Sequence, residues 1–184
     1  KLTSVSGANQ RSDTLISGNN PQTYPESYSE SYCGNFTHIL DEKGRISLPV
    51  DFRSVLEEHQ LKAQQKAIVL TNYISDGSRC LEGFSEKAWQ TFELKLRQKS
   101  RFDSKLQKLE NFYLSRAARC TLDASGRILV PQHLKLYANL EKEATFTASI
   151  HGFRLWDTRV WNTVFEAAEQ ALLENPDIFA EVDI

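Results

Sequence analysis

A ten-residue motif that occurs twice constrains the fold of this chain more than any other feature of its sequence. The first copy spans residues 40–49 and the second spans residues 122–131, at a constant offset of 82 positions. Six of the ten positions are identical, in the shared pattern L-D-x-x-G-R-I-x-x-P. A match of this kind at a fixed offset indicates an internal duplication, so we expect two equivalent structural units.

Each copy carries the signals of a tight turn. An aspartate stands three residues before a glycine, and this spacing is typical of a type I turn closed by the left-handed backbone that glycine adopts readily. The turn-forming glycines are Gly44 and Gly126. An arginine follows each glycine, so a rigid turn would hold the guanidinium of Arg45 or Arg127 in a defined place.

Residues with high strand propensity flank both turns. These segments are 37–40 and 46–48 around the first turn, and 120–122 and 128–130 around the second. We therefore predict that each copy forms the tip of a β-hairpin, with the arginine as the first residue of the returning strand.

Apolar residues at helical spacing predict further elements in both halves. In the first half, Pro49 introduces a short helix over roughly 51–59, and Ser85 caps a later helix that buries Trp89. In the second half, a short helix begins at Pro131. The final helix is expected to bury a stripe of six apolar residues: Val160, Trp161, Val164, Phe165, Ala168 and Leu172.

These elements predict an α+β fold with two tandem repeats of hairpin and short helix, accompanied by flanking helices. Residues 1–34 are rich in Ser and Asn and poor in apolar side chains, a composition typical of disordered extensions. The expected division of the chain is an N-terminal extension at 1–34, a first repeat at 35–96, a linker with a connecting helix at 97–118, a second repeat at 119–172, and an acidic C-terminal tail at 173–184.

The charge balance excludes a global electrostatic attraction to nucleic acid. The net charge of the 184 residues is −2, so DNA binding would depend on a local arrangement of cations. Charge is nonetheless unevenly placed: between positions 95 and 119 there are eight Lys or Arg and two acidic residues, whereas six acidic residues and no basic one follow position 165. No apolar run approaches the ~20 residues of a membrane span, so we expect no membrane partner.

The spacing of cysteine and histidine argues against cofactor chemistry. Cys33, Cys80 and Cys120 form no C-x-x-C pair, and this pattern is typical of reduced thiols in the cytoplasm. The four histidines lack the spacing of a metal site, so we expect neither a metal nor another cofactor. The chain has no recognisable catalytic set and no glycine-rich phosphate loop, which predicts that it is not an enzyme and has no small-molecule substrate.

The doubled motif closely resembles that of the MraZ family of bacterial transcriptional regulators. The resemblance rests on residues 40–49, on Phe52 and Arg53, and on residues 122–131, and it covers most of residues 35–165. It implies the swapped-hairpin barrel of the related AbrB/SpoVT class, with one chain supplying both hairpin units. It also implies ring-shaped homo-oligomers, association with the nucleoid, and binding of double-stranded DNA at repeated promoter elements of the division and cell-wall gene cluster.

The resemblance assigns sequence-specific DNA binding to the two turns, and the residue chemistry suits that role. Arg45 and Arg127 can present forked guanidiniums to guanine edges or to phosphates. Asp41 and Asp123 would organise the turns and orient these arginines. Two further cations are expected to contact phosphates: Lys43 and Arg53.

Alternatives to this interpretation remain open at the level of sequence. The Asp–Arg pairs could serve only as salt bridges that stabilise the turns, although exposed pairs typically contribute only ~0.2–1 kcal/mol. The protein could also be a structural homo-oligomer or adaptor without a nucleic-acid role. The basic stretch 95–119 is a competing patch, but its position on a linker and an amphipathic helix favours a solvated helix face.

Overall fold

The computed structural model describes residues 31–58 and 66–182, and the elements below are those of the described residues. The strands are β1 (Asn35–Ile39), β2 (Arg45–Ser47), β3 (Ala67–Ser75), β4 (Ser78–Ser85), β5 (Ala118–Thr121), β6 (Arg127–Leu129), β7 (Glu143–Ser149) and β8 (Gly152–Asp157). The helices are α1 (Val50–Glu58), α2 (Glu86–Arg97), α3 (Ser104–Phe112), α4 (Gln132–Tyr137), α5 (Thr158–Glu174) and α6 (Ile178–Glu181), with a 3₁₀ turn at Leu114–Arg116. Residues 1–30 of the predicted extension and the last residue of the predicted 51–59 helix lie outside the described residues.

The order of the strands reproduces the duplication. Six strands form one antiparallel sheet in the order β1-β7-β8-β4-β3-β5, and β2 and β6 form a separate two-stranded ribbon. The strands β1, β3 and β4 of the first half correspond to β5, β7 and β8 of the second. Each half thus places its first strand beside the third strand of the other half. The predicted fold class, α+β with two tandem repeats, is confirmed.

An approximate twofold axis relates the two halves. At the centre of the sheet, Glu82 on β4 pairs with Arg154 on β8, and these residues are equivalent positions 72 residues apart. In the ribbon, Ile46 on β2 pairs with Ile128 on β6, equivalent positions 82 residues apart. Each central pair therefore joins a residue to its own counterpart, as the two-stranded interface of a symmetric dimer would, but within one chain.

In a simple hairpin the two strands that flank a turn pair with each other, but here they pair with strands of the other repeat. At the base of each turn a backbone bond joins the aspartate and the arginine, from Asp41 N to the Arg45 carbonyl (2.9 Å) and from Asp123 N to the Arg127 carbonyl (2.8 Å). Beyond it, β1 pairs with β7, and β2 pairs with β6. The turns predicted from the sequence are present, and their strands are exchanged between the halves in the way that the resemblance implied.

The short helices close the core beneath the ribbon. Proline precedes each of them, and its carbonyl accepts the first helical bond, from Arg53 N to Pro49 (3.0 Å) and from Lys135 N to Pro131 (2.9 Å). Phe52 of α1 and Leu134 of α4 are completely buried. The remaining centre of this core is formed by aliphatic and aromatic side chains from both repeats, including Ile46, Ile128, Phe146, Phe153 and Leu155.

The helices that end the two halves are equivalent but packed differently. Trp89 of α2 is buried because Tyr113, just after α3, stacks on it at 6.0 Å between ring centroids. No residue of α5 is buried, and Phe165 is 51% exposed. The predicted burial of the α5 stripe is therefore wrong. Its apolar spacing is present, but no described segment covers this helix in the way that the connecting segment covers α2.

Candidate nucleic-acid interface

The first turn is organised by the carboxylate of Asp41. Its Oδ1 accepts hydrogen bonds from the backbone N–H groups of Lys43 (3.0 Å) and Arg45 (2.8 Å). Its Oδ2 accepts from the Nε (2.7 Å) and Nη2 (2.7 Å) of the Arg45 side chain. Gly44 has a φ of 79° and donates its N–H to the Asp41 carbonyl at 2.8 Å. One carboxylate thus fixes both the backbone of the turn and the orientation of the guanidinium.

The second turn repeats this arrangement bond for bond. Asp123 Oδ1 accepts from the backbone N–H groups of Ser125 (2.8 Å) and Arg127 (3.0 Å). Asp123 Oδ2 accepts from Nε (2.9 Å) and Nη2 (2.8 Å) of Arg127. Gly126 has a φ of 73°. Because the two residues between Asp and Gly differ between the turns, this geometry does not depend on their side chains.

Hydrogen bonding lowers the pKa of both aspartates. The largest cause is the backbone N–H of Arg45 for Asp41 and of Arg127 for Asp123, followed by the hydrogen bond from the same arginine's side chain. These donors favour the charged carboxylate. The stabilisation of the turns is therefore present above the ordinary carboxyl pKa, and it is lost as the pH falls through the lowered values.

The β2–β6 ribbon places both arginines on one outward face. Arg45 pairs with Leu129, and Ser47 pairs with Arg127, so these four side chains share one side of the ribbon. The central isoleucines point the other way and are completely buried. Arg45 and Arg127 are diagonal neighbours in this ladder, a relation that separates residues by about 7–8 Å. Each guanidinium-bearing side chain is 35% exposed.

Arg53 occupies a different place from the other predicted DNA-binding cations. Its guanidinium lies against Gly126, so that a side chain at position 126 would meet Arg53 Nη1. Its Nε is buried and has no hydrogen-bond partner among the described residues. Together with Asp123 it lines a cavity of ≈ 220 Å³ behind the second turn. Arg53, a residue of the first repeat, thus packs against the turn of the second, whereas Lys43 is exposed on the first turn.

Two residues at the ribbon were not singled out from the sequence. His38 Nδ1 donates to the carbonyl of Ser47 at 2.6 Å and so connects β1 to β2 below the first turn. Leu129 is 56% exposed beside Arg45. The apolar residue at 129, in place of Ser47 in the first copy, was a visible difference between the repeats, but its exposure follows only from the pairing of β2 with β6.

Three further predictions concern the cysteines, metal binding and membrane spans. Cys80 and Cys120 are buried and Cys33 is exposed, and all three are free thiols. Within the described ranges, no group of three or more His, Cys, Asp or Glu side chains is arranged to hold a metal ion. Among the described helices, none combines the length and the apolar character needed to cross a membrane.

These observations define a class of protein: two tandem repeats in one chain that exchange strands and present two equivalent Asp–Arg turns on a shared ribbon. A family model described as "MraZ protein, putative antitoxin-like" matches residues 32–112 and again residues 113–178. The chain belongs to the MraZ family, as the resemblance of the doubled motif predicted. This is a family of regulators and not of enzymes.

Proposed function

We propose that this protein is a sequence-specific DNA-binding transcriptional regulator that acts, as a homo-oligomeric ring, on repeated promoter elements of the division and cell-wall gene cluster. In this proposal it works in the cytoplasm, associated with the nucleoid. The observation that supports it is the outward face of the β2–β6 ribbon, which carries Arg45 and Arg127 as diagonal neighbours. The major groove of DNA admits a two-stranded β-ribbon, and arginine on guanine is the commonest specific contact there.

The charge of the turns favours base contacts over a general attraction to phosphate. In the first turn, Asp41 and Glu42 balance the charges of Lys43 and Arg45. In the second turn, an aspartate likewise balances an arginine. Each turn is therefore close to neutral, and long-range attraction to the DNA backbone is small. Affinity has to come from directed hydrogen bonds. The aspartates hold each guanidinium by Nε and Nη2, and leave Nη1 and the second N–H of Nη2 as a fork for a guanine edge or a phosphate.

The remaining cations contribute less to sequence discrimination. Lys43 is exposed at the first turn, where it is positioned for a phosphate contact that adds affinity without reading sequence. Ala124 and Ser125 occupy the equivalent loop of the second turn, so the two turns contribute unequally. Arg53 is half-buried against Gly126, and its main role in this proposal is to support the second turn, with a phosphate contact as a secondary one.

Oligomerisation would raise the overall affinity for DNA, because several weak contacts then act together. A single chain offers only two turns, but several chains in one assembly would engage successive promoter repeats at a high effective concentration. Gains of roughly 10²–10⁴ in overall affinity are typical of such multivalent binding. The spacing of the repeated DNA elements should then matter as much as their sequence.

The proposal is tested by fluorescence anisotropy with promoter DNA and the variants Arg45→Ala and Arg127→Ala. Loss of one bidentate arginine contact costs about 1–3 kcal/mol, so we expect each variant to bind its specific site about 5–150-fold more weakly. Arg45→Lys should not restore affinity, because a lysine cannot reproduce the forked geometry. The matched control is Arg101→Ala, an exposed arginine in the basic connecting segment. Unchanged affinity in both turn variants would refute the proposal.

A purely structural role of the Asp–Arg pairs predicts a different outcome. In that case the same variants would lower the free energy of unfolding by about 0.2–1 kcal/mol and leave DNA affinity unchanged. Urea unfolding of each variant, measured beside the anisotropy, therefore separates turn stability from DNA contact. A loss of affinity in Arg101→Ala alone would instead indicate the basic connecting segment as the DNA-binding surface.

A further inference from the structure

The last long helix of the chain lacks the cover that its counterpart has. Asp157 caps α5 where Ser85 caps α2, and Trp161 corresponds to Trp89, both at an offset of 72. Trp89 is 4% exposed, because Tyr113 packs over it. Trp161 contacts Trp156 at its base and Phe165 along the helix, and it stays half-exposed. The same structural position is therefore covered by an aromatic side chain from a following segment in the first repeat and left uncovered in the second.

The uncovered residues form one continuous face, which we term the α5 face. The residues Trp161, Val164, Phe165, Ala168 and Leu172 follow helical spacing, and none of them is buried. Further apolar side chains are exposed beyond them: Leu173 is 72% exposed, Phe179 53% and Val182 62%. A contiguous apolar face of this kind is typical of an interaction site.

A groove that complements this face lies on the first repeat. It has a volume of ≈ 640 Å³ between α2, α3 and β4, and we term it the α2–α3 groove. Its walls include the aromatic rings of Phe84, Phe92 and Tyr113. Two exposed lysines stand on the α2 side of the groove, Lys87 and Lys95.

The two surfaces carry opposite charge. After Arg159 the described residues 160–182, which include the rest of α5 and all of α6, contain no basic residue and five acidic ones: Glu166, Glu169, Glu174, Asp177 and Glu181. The α2–α3 groove has the reverse balance, because Lys87 and Lys95 are exposed along it and its acidic lining residue, Glu82, is buried. Opposite potentials of this kind steer association and disfavour wrong partners.

We infer that the α5 face of one chain docks in the α2–α3 groove of a second copy of this chain. This inference rests on the homo-oligomer of the proposed function and assigns the two surfaces that would build it. Pairing of α5 with α5 of the partner would bring the acidic residues of both helices together. A contact between two different surfaces has no such repulsion, and since each copy keeps one free groove and one free helix, it propagates until a ring closes.

Charge reversal tests the pairing in the full-length chain. The first variant, Lys87→Glu with Lys95→Glu, makes the groove acidic, and the second, Glu166→Lys with Glu169→Lys, makes the helix basic. All four side chains are exposed, so we expect both variants to fold, which circular dichroism and thermal melting will verify. Alone, each variant sets like charges against each other and should sediment as a smaller species than the wild-type chain. In an equal mixture every groove meets a helix of opposite charge, and sedimentation velocity should show the wild-type size again.

Several results would overturn the inference. These are a wild-type chain that sediments as a monomer, a variant that keeps the wild-type size, and a mixture that stays dissociated. If only the helix variant dissociates, α5 pairs with something other than the groove, and the inference also fails. Residues 1–30 are an alternative occupant of the groove, and in that case the groove variant would keep the wild-type size.

Carbodiimide cross-linking of the wild-type chain gives an answer that does not depend on the folding of any variant. In an equal mixture of ¹⁵N-labelled and unlabelled protein, we expect links between Lys87 or Lys95 and Glu166 or Glu169 that join a labelled to an unlabelled peptide. Links found only within one isotope would contradict the inference. The turn variant Arg45→Ala should keep the wild-type sedimentation, and the charge variants should keep weak affinity for a single DNA site, so a failure of this inference is distinguishable from a failure of the proposed function.

Discussion

At the scale of single residues, the two turns show how three residue types produce one geometry in different surroundings. One carboxylate oxygen of the aspartate accepts hydrogen bonds from the backbone N–H groups of the turn, and the other accepts from the arginine side chain. Glycine supplies a left-handed backbone that other residues adopt only with strain. The surroundings differ, however, because Arg53 packs on Gly126, whereas a side chain at Gly44 would meet ordinary contacts at 3.5 Å or more.

We expect Gly126→Ala to destabilise the protein more than Gly44→Ala. Both substitutions place alanine in the left-handed region, which costs about 1–2 kcal/mol. Only at position 126 must the new methyl group also displace Arg53. Urea unfolding of both variants measures the difference, and the excess should disappear when Arg53→Ala is added to each. Equal free energies of unfolding for the two glycine variants would contradict this account.

At the scale of elements, α5 depends on its N-terminus because its body is so little buried. Asp157 is 2% exposed, and its Oδ1 accepts from the N–H and the Nε of Arg159, both at 3.1 Å. Its Oδ2 accepts from the N–H of Glu141 at 3.3 Å. Burial raises the pKa of this carboxyl, but the bonds from Arg159 and Glu141 outweigh it and hold the pKa below its ordinary value. The equivalent Ser85 accepts one bond, from Ala88 N at 3.2 Å.

We expect Asp157→Ala to lower the free energy of unfolding by about 2 kcal/mol, at the upper end of the range for a lost N-cap. Ser85→Ala should cost less, because a single acceptor is removed and α2 remains covered by the connecting segment. Urea unfolding gives both values, and Asp157→Asn is the control that keeps a capping oxygen. A larger loss in Ser85→Ala than in Asp157→Ala would show that burial of the helix, and not its cap, decides the cost.

At the scale of the whole molecule, a buried acid lies on the approximate twofold axis. Glu82 is 8% exposed and pairs across the sheet with Arg154. The hydroxyl of Tyr113 donates to its Oε2. Burial raises the pKa of Glu82 from 4.5 to about 7, although the charge of Arg154 acts in the opposite direction. The junction between the repeats therefore contains a group that takes up a proton near neutral pH.

We expect the stability of the protein to fall as the pH rises through the raised pKa of Glu82. Between the ordinary pKa of 4.5 and the raised value of about 7, the folded chain binds a proton that the unfolded chain has released. The stabilisation is complete below the ordinary value and is lost above the raised one. At about 1.4 kcal/mol per pKa unit, the loss over this whole range is roughly 3–4 kcal/mol.

Urea unfolding from pH 5 to pH 8, with Glu82→Gln and the exposed control Glu110→Gln, measures this dependence. The Glu82 variant should show a flatter profile than the wild-type chain, and the Glu110 variant should follow the wild-type profile. A steep fall that persists in Glu82→Gln would place the titrating group elsewhere.

Much of the candidate site could be predicted from the sequence because its parts are local. The bonds that form each turn join residues at most four positions apart, so the pattern of Asp, Gly and Arg was sufficient to locate them. The place of Arg53 was not predictable, since it packs on a glycine 73 positions away in the other repeat. The exposure of α5 was also missed, because helical spacing identifies an apolar face without identifying what covers it.

The sequence by itself determined the two turns and the proline-initiated helices, which depend on residues close together in the chain. It also determined the duplication and the family, because these local motifs occur twice. Only the tertiary structure decided which strands pair. One such pairing exchanges β1 and β5 between the halves, and another forms the ribbon that turns Ile46 and Ile128 inward and both arginines outward. Most of the residue pairs involved are about 80 or more positions apart in the chain. The physical reason is that the alternation of inward and outward side chains along a strand is the same whether it pairs within its own repeat or with the other repeat. Only the packing of the shared core distinguishes these two pairings.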